Sequence, residues 1–92
     1  MVCYRLRITG RVQGVAYRDW MVRAARAAGV VGWVRNRADG SVEALVAGPP
    51  GAVDALVADC RHGPPAARVD NVERSVEQAP DLFDFVMRRN EY

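Results

Sequence analysis

The chain of 92 residues contains no lysine; all thirteen of its basic residues are arginine, a bias that genome base composition produces by itself. Set against eleven acids they leave a formal net charge of only +2. They are scattered and not clustered with exposed aromatics, so the footprint of a nucleic-acid binder is missing. Cysteine is scarce, with Cys3 and Cys60 alone, which excludes a disulfide framework and points to reduced, structural thiols. Histidine occurs once, at His62, and no group of histidines, cysteines or acids shows metal-ligand spacing, so no metal and no cofactor is expected. No segment approaches the ~18 consecutive apolar residues of a membrane span. A charged, then apolar secretion signal is absent too, so the expected setting is the cytoplasm, with no membrane partner.

What the chain does have is apolar content, half of all residues, enough for the core of one compact domain, here expected to span residues 1–92. Residues 4–9 alternate, with Tyr4, Leu6 and Ile8 against Arg5, Arg7 and Thr9, which predicts a strand with one buried face. Cys3 then points to the other face. From Tyr17 the period becomes helical: Tyr17, Trp20, Met21, Ala24, Ala25 and Ala28 form one stripe, Asp19 complements the N-terminal dipole and Gly29 ends the helix. Residues 30–36 read as a second strand. Arg37-Ala38-Asp39-Gly40 is a hairpin turn leading into Val42, Ala44 and Val46.

Gly48-Pro49-Pro50-Gly51 opens a second helix, whose Val53, Leu56, Val57 and Cys60 fall at i, i+3, i+4 and i+7, and Gly63-Pro64-Pro65 closes it. Strand character returns from Val69 to Val76, with spacing that predicts a bulge, and again at Phe83, Phe85 and Met87. The order is the βαββαβ pattern of a ferredoxin-like α+β sandwich: an antiparallel sheet, two helices on one face and a short extra C-terminal strand. A right-handed crossover through the first helix brings the end of the first strand and the end of the second to one sheet edge. With one strand between them they lie roughly 10 Å apart. An arginine side chain spans that gap.

That edge carries Gly10-Arg11-Val12-Gln13-Gly14-Val15-Ala16-Tyr17-Arg18, an apolar strand running through a two-glycine loop to an arginine at a helix start. A loop of this kind turns backbone N–H groups inward, the helix adds the positive end of its dipole and a guanidinium completes an anion cage. The candidate phosphate-binding residues are therefore Gln13, Gly14, Val15, Ala16, Tyr17 and Arg18, the loop residues read for their amides and Arg18 for its planar fork. Asn36, at the end of the second strand, reads from the residues alone as a turn asparagine. His62 reads as a helix C-terminal residue complementing the dipole.

The segment from Gly10 to Arg18 resembles the signature of the acylphosphatases. A second stretch, Gly32-Trp33-Val34-Arg35-Asn36 followed by Gly40, Val42 and Gly48, is similar to that family's second motif, and the likeness runs from Tyr4 to Phe85. Tyr17 departs from the family's more usual phenylalanine, and its hydroxyl must find a partner. The resemblance implies that Arg18 binds the substrate phosphate and that Asn36 orients the attacking water, making these the catalytic pair. It implies a hydrolase cleaving the carboxyl–phosphate anhydride of a small-molecule acyl phosphate to a carboxylate and inorganic phosphate; a monomer is the default expectation for a domain without an obvious extra apolar face. The carboxylate leaves without protonation, so positioning and charge stabilisation are sufficient chemistry.

The rival reading is a non-catalytic phosphate- or RNA-binding ferredoxin-like module. Arg5, Arg7 and Thr9 stand where an RNA-binding sheet would present aromatics, which argues against RNA. A second rival is a relative of the acylphosphatase-like domain that begins hydrogenase maturation proteins. A chain ending at Tyr92 is not expected to be one.

Overall fold

The computed structural model describes all residues, 1–92. Seven elements follow in order: β1 (Val2–Arg11), α1 (Tyr17–Ala28), β2 (Val31–Asn36), β3 (Val42–Gly48), α2 (Pro50–Cys60), β4 (Arg68–Val76) and β5 (Phe85–Met87). They build one sheet of order β4-β1-β3-β2-β5 with both helices packed on one face. The antiparallel sheet expected from the sequence is in fact mixed, because β5 runs parallel to β2 with Phe85 opposite Gly32 and Met87 opposite Val34. The chain leaves β4 at one edge and crosses to the other, where it arrives in the direction of β2.

Alternation along the strands sorts the side chains as the period of two requires. Leu6, Ile8, Val34, Val42, Ala44 and Val46 face the helices, and with Tyr17, Met21, Val53, Leu56, Cys60 and Phe85 they form the main core. Cys3, Trp33, Leu45 and Ala47 make a smaller cluster on the other face. The two thiols are thus buried on opposite sides of the sheet, and both are free. Asn36 shares the parity of Val34, which turns it to the helix side at the point where β2 ends.

Two glycines allow the sheet to close. A Cβ on Gly32, at φ 144°, would run into the Leu45 carbonyl oxygen and lie 3.3 Å from the Phe85 ring; one on Gly10, at φ 121°, would run into the Arg68 carbonyl oxygen. The predicted bulge lies beside Gly10. One step from Thr9 to Gly10 in β1 is matched by two from Asn71 to Val69 in β4, leaving Asp70 as the extra residue. The C-terminal strand is shorter than its alternation implied. Phe83 lies outside it, almost fully exposed, and Phe85 alone carries the inward-facing aromatic role.

The hairpin turn is tied by four hydrogen bonds. Asp39 accepts hydrogen bonds from the Ser41 backbone N–H (2.9 Å) and hydroxyl (2.6 Å), and the Gln13 amide donates to the carbonyls of Arg37 (2.7 Å) and Ser41 (2.9 Å). Those Ser41 bonds, with Arg7 alongside, hold the Asp39 carboxyl well below its usual range. Gln13, read from sequence for its backbone N–H more than its side chain, thereby joins the loop after β1 to the turn after β2.

Candidate active site

The loop between β1 and α1 is pinned by its two buried valines, Val12 and Val15, while Gly14 and Ala16 stand outward. Gly14 has φ 73° with nothing within 4 Å of a would-be Cβ, so glycine is needed there for its backbone and not for space. Ala16 is also left-handed, at φ 64° and ψ 26°, as the cap residue of α1. A non-glycine residue in this region costs roughly 1–3 kcal/mol. Val15 between them keeps negative φ. Backbone of alternating hand makes a concave nest of N–H groups.

From Gln13 to Asp19 no backbone N–H has an acceptor within the chain; the first to bond is that of Trp20, to the Ala16 carbonyl at 3.0 Å. The loop amides and the first-turn N–H groups of α1 therefore form one uninterrupted set of donors, reinforced by the helix dipole. Asp19 is the one acidic residue of that first turn. Tyr17 anchors the helix start with a buried ring. Its hydroxyl donates to the Cys60 carbonyl at the end of α2, and its ring meets Trp20 edge-on at 5.3 Å. This is the partner that the extra hydroxyl required. Burial and the nearby thiol raise the phenol well above its usual value, and burial pushes the Cys60 thiol up to about 12, so both groups stay neutral.

Val12, Gly14, Ala16, Tyr17, Arg18, Asp19, Asn36 and Met87 line a cleft of about 70 Å³. One water needs roughly 10–15 Å³, so the cleft has room for a group of a few heavy atoms, the size of a phosphoryl, and it opens to solvent. Arg18 reaches it half-buried and without a carboxylate partner; its one hydrogen bond is from Nη1 to the neutral Asn90 Oδ1 at 2.8 Å. Asn36 is buried, and its Oδ1 has no hydrogen-bond donor. Neither end of that amide is tied to the chain, a costly state that recurs at functional positions. Gln13 and Val15 contribute no side chain to the cleft. His62 stands exposed beyond the end of α2 and does not line it either.

A larger recess, about 240 Å³, lies mainly on the opposite face of the sheet among Arg5, Arg7, Arg37, Glu43 and Glu73, with Arg74, whose side chain turns to α2 on the helix face, at its edge. Its arginines are already matched. Arg5 binds Glu43 (2.6 Å) and Glu77 (2.8 Å), Arg7 binds Asp39 (3.0 Å), Arg37 binds Glu91 (3.1 Å) and Arg74 lies 3.4 Å from Asp54. Trp33 is covered by the guanidinium groups of Arg5, Arg35 and Arg88 and is only 7% exposed, so it offers no stacking surface. The recess therefore lacks the run of unbonded backbone N–H groups that the cleft has.

A family model described as acylphosphatase matches residues 4–87. The chain belongs to the acylphosphatase family. An acylphosphatase of Rhodospirillum rubrum is 57% identical over 80 residues, which cover 87% of this chain and 88% of that protein. One from Acidiphilium cryptum is 50% identical over 88 residues, covering 96% of this chain and 97% of its own length. The crystal structure of acylphosphatase from Bacillus subtilis superposes with a TM-score of 0.91 at 32% identity, over 96% of this chain and 99% of that one. The fold is the ferredoxin-like fold of this family and the chain is a hydrolase acting on acyl phosphates.

Three features of the cleft had little or no signal in the sequence. Ala16 carries no mark of a left-handed residue, since alanine is ordinarily a helix former. Met87 reads as an alternating strand residue and arrives at the cleft because β5 adds to β2. Asn90 lies beyond the last recognisable element.

Proposed function

We propose that the cleft binds the phosphoryl group of an acyl phosphate through the backbone N–H groups of Gln13, Gly14, Val15, Ala16 and Tyr17 and the guanidinium of Arg18, and that Asn36 orients the attacking water. The observation that carries this reading is the unbroken run of unbonded N–H groups beside an arginine that no carboxylate neutralises. Donors fixed before substrate arrives stabilise the charge that spreads over the phosphoryl oxygens in a loose transition state. Asn36 turns its free amide so that Oδ1 accepts a hydrogen bond from water and holds it in line with the scissile P–O bond. Water oxygen bonds to phosphorus, the acyl oxygen departs with the electron pair as a carboxylate, and the proton passes to solvent. A carboxylate is a good enough leaving group to need no acid, which is why this scheme uses no cofactor.

The same reading takes residues 1–92 as a single domain acting as a monomer in the cytoplasm, without nucleic-acid or membrane partners. Its supports are the near-balanced charge, the matched arginines of the open face and the lack of any helix long and apolar enough to cross a membrane. The acyl group lies outside so small a cleft, so selectivity rests on the phosphoryl end.

The test is hydrolysis of acetyl phosphate in the presence of a chelator, with a phosphate monoester as control. Arg18→Gln is expected to weaken inhibition by inorganic phosphate and raise KM, while Asn36→Ala lowers kcat by about a hundredfold or more, as loss of a single transition-state contact does elsewhere. Full turnover in either variant refutes the assignment of that residue.

A further inference from the structure

Beyond β5 the chain does not leave the body of the protein. The Arg88 N–H donates to the Val34 carbonyl (2.8 Å) and the Glu91 N–H to the Asn36 carbonyl (3.0 Å), so residues 88–91 extend along β2 to its end. The Glu91 carboxylate accepts from the Ala38 N–H (3.0 Å) and binds Arg37 (3.1 Å), and the Tyr92 hydroxyl donates to Gln13 Oε1 (3.1 Å). The Ala38 bond and the Arg37 charge hold the Glu91 carboxyl below its usual value. This strap lies outside the residues that match the family model, 4–87. At its centre, between the two backbone anchors, Asn90 meets Arg18.

We propose that Asn90 is a positioning residue for Arg18, a role that rests on the phosphate-binding reading above. A free arginine side chain carries considerable rotamer freedom, which must be surrendered when it binds an anion. Asn90 Oδ1 takes up Nη1 at 2.8 Å. Nη1 lies on the Cδ side of the guanidinium, so this contact leaves Nε–H and Nη2–H, which point the same way, as a side-on fork for two phosphoryl oxygens. The choice of an amide matters. A carboxylate at this position would hold the arginine equally well but would neutralise it and compete with the substrate, whereas asparagine orders the side chain and leaves its charge available to the cleft.

The test is a double-mutant cycle read by inorganic phosphate affinity, measured by NMR titration, and by the steady-state constants with acetyl phosphate. In the native background Asn90→Ala should weaken phosphate binding and raise KM together, by about three- to tenfold, the cost of immobilising one rotamer-rich side chain on binding. kcat should stay within about twofold, and the urea midpoint should be nearly unchanged, because the backbone anchors at 88 and 91 remain. In an Arg18→Lys background, which lacks the guanidinium fork, the same change should have no effect on phosphate affinity. An equal effect of Asn90→Ala in both backgrounds, or tighter phosphate binding in Asn90→Ala alone, overturns the proposal. If Arg18→Lys itself leaves phosphate affinity intact, the failure belongs to the phosphate-binding role of Arg18 and not to Asn90.

Discussion

Asn36→Ala separates a functional asparagine from a structural one by its effect on stability. Asn36 is 4% exposed, its Oδ1 has no donor, and its side chain makes no hydrogen bond to the hairpin turn that follows. A buried polar group left unpaired costs roughly 1–3 kcal/mol, which the substitution removes. Against this stands the loss of packing from a small amide, about 1 kcal/mol on the scale of buried methylene deletions. The backbone contributes nothing to the difference, because pairing with Val42 and the bond from the Glu91 N–H involve main-chain atoms alone. The two terms nearly cancel, so the expected change in stability is within about 1 kcal/mol of zero, while kcat falls by about a hundredfold or more. Urea unfolding followed by the fluorescence of Trp20 and Trp33, in phosphate-free buffer because bound phosphate would stabilise the native state, measures the first quantity. With m near 1 kcal/mol/M for a small domain the midpoint should move by less than about 1 M. A loss of more than about 2 kcal/mol with activity retained would make Asn36 a turn residue and refute the reasoning.

Tyr17→Phe, although it installs the residue more usual in the family, should destabilise the protein by about 1–2 kcal/mol, because it strands the Cys60 carbonyl in the core; a rise in the urea midpoint would show that the bond contributes nothing. Gly14→Val should reduce phosphate affinity more than stability, since the site has space for the side chain and the penalty lies in φ 73°; equal losses in both would make Gly14 a plain turn glycine. Acidification tests Glu43, a buried carboxylate on β3 clasped by Arg5 (2.6 Å) and Arg35 (2.7 Å). Burial pushes its carboxyl up, but the guanidinium bonds outweigh burial and hold it below the ordinary value of 4.5. A depressed carboxylate contributes stability that is complete above its unfolded pKa and is lost as pH falls through the folded one. Thermal midpoints should therefore begin to drop near pH 4.5 and keep falling below it, and Glu43→Gln should flatten that slope while lowering stability at pH 7; an unchanged slope would remove Glu43 from the account.

The order of elements was legible because each carries its period and its punctuation: Gly29 ends α1 in the left-handed region, and Asp39-Gly40 turns the hairpin with Gly40 at φ 91°. The side of the sheet on which each thiol lies followed from strand alternation for Cys3 and from the helical stripe for Cys60. The direction of β5 could not be read, since Phe85 and Met87 alternate identically in a parallel and an antiparallel pairing. It is settled by tertiary facts, the Gly32 N–H bonding the Asp84 carbonyl at 3.0 Å and Phe85 closing the core. At the cleft, the glycine loop and Arg18 announce an anion site through residue type. Ala16 and Asn90 do not, because one acts through a backbone angle and the other through where the chain happens to return.

The cradle formed by residues 13–19 consists mostly of main chain. Its donors belong to every amino acid except proline, so a substitution at 16 that preserves the left-handed backbone there leaves the N–H donors of the loop in place. Point mutations that would damage it are therefore of a few kinds: proline within the loop, a residue at 14 that leaves the left-handed region, loss of the Gln13 side-chain amide, or loss of the valines beneath it. A binding site written in peptide bonds is defined by its shape more than by its spelling.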